Sequence, residues 1–105
     1  MKIYIAINYG RNKKTKGYIL DINRRGLCFV SKIRIRKGTV VDIIPESGTF
    51  KGLKGEVAHT SSTERQSYRY KSGVKFLHLN EEQKNSLDRF ISNIEKRRVS
   101  RFSFI

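Results

Sequence analysis

Isoleucine recurs at every second position near the start of the chain: Ile3, Ile5 and Ile7 alternate with Tyr4, Ala6 and Asn8. A period of two in β-branched residues predicts a strand over Met1 to Tyr9. The next segment, GRNKKTKG from Gly10 to Gly17, is charged and predicts a turn. Alternation returns over Tyr18 to Asn23, where Tyr18, Leu20 and Ile22 would share one face and Asp21 and Asn23 the other. Arg24, Arg25 and Gly26 break the pattern before a third strand, Leu27 to Ser31, in which Cys28 is expected to be a buried small hydrophobe. Lys37-Gly38 predicts a turn. Thr39 to Ile44 reads as a strand ending at Pro45, and Glu46 to Gly48 as a turn or loop. Strand signal resumes from Gly52 or Lys54 to Thr60, and from Ser67 to Leu77. Gly73 interrupts that last run and marks a bulge or kink. About six short strands with close turn signals predict an antiparallel barrel or sandwich. A barrel is preferred, because closure removes the edges of so small a sheet.

The period changes at Asn80. Asn80 is a good N-cap, and Gln83 three residues on completes a capping-box pattern. Glu81 and Glu82 suit a helix N-terminus, and Lys96, Arg97 and Arg98 suit its C-terminal end. Leu87, Phe90, Ile91 and Ile94 follow i, i+3, i+4, i+7 spacing, one apolar face that should pack on the barrel or on a partner chain. The expected layout is a barrel over about 1–78, a helix over about 80–96 and an arginine-rich tail over 97–105, together one domain, 1–105. Phe102, Phe104 and Ile105 alternate, so the tail reads as the start of another strand.

Charge then changes the picture. The 105 residues hold 23 Lys+Arg against 9 Asp+Glu, a formal net charge of +14. Such a balance points to an anionic partner. No stretch approaches the ~18 apolar residues of a membrane span, and the N-terminus lacks the pattern of a signal peptide, so a cytoplasmic domain without membrane insertion is expected. A single cysteine excludes an internal disulfide framework and a CxxC zinc site. His59 and His78 stand alone, without carboxylates at metal-ligand or triad spacing. Phosphate-binding glycine loops are missing. The chain therefore reads as a binding protein without enzymatic activity, metal or cofactor.

Two segments carry the recognition chemistry. DINRRG, Asp21 to Gly26, projects a carboxylate and an amide from one strand face, then two arginines and a turn glycine. RRVSR, Arg97 to Arg101, places its outer arginines at i and i+4. Guanidinium forks match phosphate oxygens and the O6/N7 edge of guanine, and stack on base planes.

Together with LCF at Leu27 to Phe29, KGTVVDI at Lys37 to Ile43, GEV at Gly55 to Val57, GVKFL at Gly73 to Leu77 and the C-terminal helix, Asp21 to Gly26 resembles the second signature of PilZ domains. The resemblance covers Lys2 to Ile94. It implies a six-stranded antiparallel barrel that binds cyclic di-GMP. The family's other signature, RxxxR on a loop leading into the first strand, has no counterpart before Met1. EKRRVSRF, Glu95 to Phe102, resembles it from the other end: Arg97 and Arg101 match its arginines and Arg98 fills an interior position. The resemblance thus implies a circularly permuted PilZ domain, with Arg97, Arg98, Arg101, Asp21, Asn23 and Gly26 as ligand contacts. Asn23 stands where the family usually has serine. The arginine segment would be ordered by ligand and read by a downstream protein, in cis or through a swapped homodimer. Two other readings stand beside it. One is a basic barrel binding nucleic acid through Lys13, Lys14, Lys16, Arg34, Arg36, Tyr68 and Tyr70; the other is a PilZ-like adaptor that has lost nucleotide binding.

Overall fold

The alternating apolar positions line the inside of a closed barrel. The computed structural model describes residues 2–102, with side chains through residue 94. Six strands, β1 (Ile3–Gly10), β2 (Lys13–Ile22), β3 (Gly26–Ser31), β4 (Val40–Pro45), β5 (Leu53–Ser62) and β6 (Tyr70–Phe76), precede one helix, α1 (Glu81–Phe102). The spatial order is β1-β2-β3-β6-β5-β4, and the pairing of β4 with β1 closes the ring. Every pairing is antiparallel. Closure gives every strand two neighbours, so the sheet has no edge strand.

Ile5, Ile7, Leu27, Phe29, Val41, Ile43, Val57 and Val74 fill the interior, and Ile35 joins them from the β3–β4 connection. Each buried side chain of this size stabilises the fold by roughly 1.5–3 kcal/mol. Helix α1 lies over a second cluster, in which Leu87 and Ile91 pack with Phe50 and Leu53 against Ile3, Ile19, Ile22 and Phe76. The apolar helix face expected from the spacing thus covers the barrel. The capping box forms as the residue types imply: Asn80 Oδ1 accepts the Gln83 N–H at 2.8 Å, and Gln83 Oε1 accepts the Asn80 N–H at 2.9 Å. Among the described residues no helix is long and apolar enough to cross a membrane.

Four features depart from the sequence reading. The turn after β1 is shorter than Gly10 to Gly17, because Lys13 to Lys16 pair with β1. Only Thr15 in that stretch is buried, so its charge hid the strand. In β2 the register shifts between Ile19 and Asp21, which makes Leu20 a bulge residue. The bulge lets Ile19 and Ile22 both reach the core, while Tyr18 packs among tyrosines away from it. The expected shared face of Tyr18, Leu20 and Ile22 therefore does not exist. The irregularity expected at Gly73 lies across the ladder, in β5, where Ala58 is the extra residue between Val57 and His59. Finally, α1 continues to Phe102 instead of ending near 96. RRVSRF contains neither Gly nor Pro to stop it. Phe102 is helical, so it does not begin a strand; residues 103–105 lie outside the described residues.

Candidate functional site

The β2–β3 hairpin turns over Asn23 to Gly26, and Asn23 organises it. Its backbone N–H donates to the Gly26 carbonyl at 2.9 Å. Its side-chain Oδ1 accepts the N–H groups of Arg25 at 2.8 Å and Gly26 at 3.1 Å. This is what a short amide does well in a turn. Its carbonyl oxygen is thus engaged by the turn, and the Nδ2 amide is the group left to a ligand. Asp21 is exposed, and its Oδ1 accepts the Ile22 N–H at 2.9 Å. Arg24 Nε donates to Asp88 Oδ1 at 2.9 Å, which ties the hairpin to α1. Both partners are more than half exposed, so the pair adds at most about 1 kcal/mol.

Below the hairpin, strand register builds one row across four strands: Asp21 opposes Cys28, Cys28 opposes Gly73, and Gly73 opposes His59. Gly73 is the gap in that row. A Cβ there would meet three atoms of the His59 ring, the nearest at 2.0 Å, so the imidazole lies in the space the glycine leaves. The row floors an open cleft of about 370 Å³, walled by Asn23, Arg25 and Lys75. Cys28 is half-buried beside the cleft, not buried in the core, because Leu27 and Phe29 take the inward positions of β3. Burial pushes its thiol up from the ordinary range; Lys71 pulls it back and Asp21 adds to the rise. The thiol is therefore protonated at neutral pH, a weak hydrogen-bond donor and a poor nucleophile.

The candidate residues fall into two groups. Asp21, Asn23 and Gly26 converge on the cleft. Gly26 has a packing role as well: a Cβ at this position would lie 2.0 Å from the Val74 carbonyl oxygen, so it permits close pairing of β3 with β6. Arg97, Arg98 and Arg101 occupy the last turns of the α1 backbone, and their side chains lie outside the described residues. At 1.5 Å per residue, positions 97 and 101 are about 14 and 20 Å of helix axis beyond Asp88. The hairpin is held by the middle of the helix at Asp88; the expected proximity of the helix C-terminus to the hairpin is not among the described contacts.

His59 and Lys75 were not singled out from sequence as part of a site. The available signal was Gly73, a strand glycine, whose missing side chain needed an occupant from a neighbouring strand. Among the described residues no group of three His, Cys, Asp or Glu side chains could hold a metal ion.

The family model of the PilZ domain matches residues 1–93, which spans all six strands and the first part of α1. The arginine segment Arg97 to Arg101 lies beyond the matched stretch. No curated protein matches the chain.

Proposed function

From the premise that this chain belongs to the PilZ domain family, whose members are cyclic di-GMP receptors and adaptors, we propose that it binds cyclic di-GMP in the cleft beneath the Asn23–Gly26 hairpin. The observation that carries this reading is the opening of Asp21 and Asn23 onto one cleft, with cationic Arg25 and Lys75 in its wall. The ligand is a dianion bearing two guanines. Asp21 accepts from guanine N–H groups. Asn23 donates through Nδ2, since its carbonyl oxygen holds the turn. Arg25 and Lys75 face the phosphates, and the His59 ring offers a flat contact on the cleft floor.

In this reading Arg97 and Arg101 supply the paired-arginine grip from the C-terminal side, as in a permuted PilZ domain, and Arg98 adds a phosphate contact or stacks on a base. Positions i and i+4 lie on one face of a helical backbone. An intact helix delivers them to the cleft of a second copy; unwinding of its last turns brings them back to their own. Ligand binding fixes this segment against the cleft, and the changed surface is what a downstream protein reads.

Calorimetric titration with cyclic di-GMP tests the reading. Binding in the micromolar range is expected, with Asp21→Ala and the Arg97→Ala, Arg101→Ala double variant each losing it. No heat at tens of micromolar overturns the function; full binding by the double variant overturns the role of the arginines. Mixing the Asp21→Ala protein with the double variant separates the two geometries. Restored binding in the mixture means the arginines act between copies.

A further inference from the structure

Away from the cleft, the outer face of β1, β2 and β3 carries a cluster that the proposed ligand does not use. Tyr4 opposes Tyr18 in the β1–β2 register, their ring centroids 5.9 Å apart and edge-to-face. Tyr68 packs edge-on against Tyr18 at 5.0 Å. Tyr68 comes from the β5–β6 connection, which Thr63 braces. Thr63 Oγ1 donates to the Tyr68 carbonyl at 2.9 Å and accepts the Arg65 N–H at 3.2 Å. Three cations sit on these rings. Lys2 Nζ is 4.7 Å from the Tyr18 centroid, Lys32 Nζ is 5.9 Å from that of Tyr68, and the Arg65 guanidinium is 6.0 Å from that of Tyr18. Arg65 also donates to the Tyr18 hydroxyl at 3.1 Å. Lys14 and Lys16 extend the charge along β2, paired in register with Asn8 and Ala6.

The charge here is poorly compensated. Lys16 lies 3.7 Å from Glu46, but Lys2, Lys14, Lys32 and Arg65 are in no ion pair among the described residues. Tyr18 is almost fully covered, whereas Tyr4 is 45% exposed and holds no cation over its face among the described residues. Clustered cations raise the affinity of a surface for a polyanion. An exposed aromatic ring set among them adds a demand for a flat π-surface. An acidic peptide brings charge without base planes, and a duplex keeps its bases stacked within itself. Single-stranded nucleic acid brings phosphates and free bases together.

We propose that this face binds single-stranded nucleic acid, with phosphates running along Lys14, Lys16, Lys32 and Arg65 and a base stacking on Tyr4. The surface is distinct from the hairpin cleft, so the inference stands or falls independently of cyclic di-GMP binding.

Fluorescence anisotropy of the whole chain with a labelled oligothymidylate of about 15 nucleotides, a length matched to such sites, tests it. Micromolar binding is expected, with a log–log salt slope of about −3 for four phosphate contacts at ~0.7 each. Tyr4→Ala lowers affinity about tenfold and leaves that slope unchanged, while Tyr4→Phe binds like the parent. Lys14→Gln with Lys16→Gln shallows the slope by about one to two. Lys84→Gln, on the exposed face of α1, changes nothing. Thermal melts confirm that each variant is folded. The proposal is overturned by absence of binding, by parental affinity in Tyr4→Ala, or by a blunt duplex or polyglutamate competing as well as the oligonucleotide.

Discussion

Two glycines on neighbouring strands shape the cleft for opposite reasons. At Gly26 the space is taken by the Val74 backbone carbonyl, which cannot move without parting β3 from β6. At Gly73 it is taken by the ring of exposed His59, which can rotate away. Gly26→Ala should therefore cost about 2 kcal/mol or more and lower the melting temperature by several degrees. Gly73→Ala should stay within about 1 kcal/mol of the parent while moving the His59 ring, seen as a change in its NMR shifts. The reverse order of stabilities, in paired thermal melts, would contradict the packing described. At this scale the sequence was informative about Asp21, Asn23 and Gly26, which lie within six residues. It was silent on His59, whose place in the cleft depends on a strand far away in the chain.

At the scale of elements, α1 is held at its start by one side chain with two engagements. Gln83 Oε1 accepts the Asn80 N–H, and Gln83 Nε2 donates to the Gly52 carbonyl at 2.9 Å, joining the cap to the barrel. The Lys51 N–H donates to Ser86 Oγ at 3.0 Å nearby. Asn80→Ala and Gln83→Ala should each cost about 1 kcal/mol in urea unfolding. Because the two residues bond reciprocally, the double variant should lose less than the sum. Additive losses would show that the box contributes nothing as a unit. The cap was legible from Asn80 and Gln83 alone, since its chemistry spans one helical turn. The C-terminal boundary was not, because RRVSRF permits helix without requiring it.

For the molecule as a whole, the net charge of +14 opposes the compact state through self-repulsion. The described ion pairs are exposed and offset little of it. Raising sodium chloride from about 10 to 150 mM shortens the screening length from roughly 30 to 8 Å. The melting temperature should rise over that range. A flat or falling curve, measured by circular dichroism, would mean that the cations are already neutralised within the fold. The same excess charge motivates both anionic ligands proposed here, and it favours them through different neighbours: a carboxylate and an amide at the hairpin, tyrosines on the β1–β3 face.

The sequence by itself determined that short strands precede one helix, because period-two and helical alternation are properties of local backbone geometry; it did not show the strand at Lys13 to Lys16 or the last turns of α1. It also determined the cap at Asn80, which is complete within one helical turn, whereas Asn23, read as the end of a strand, organises the hairpin turn instead. Only the tertiary structure decided which face each side chain takes beyond Leu20 and Ala58. A bulge reverses the alternation, and it forms where one strand must pair with two neighbours at once in a closed ring. The row Asp21, Cys28, Gly73 and His59, and the gathering of Tyr4, Tyr18 and Tyr68, come from that register between distant segments, which periodicity along a single strand does not encode.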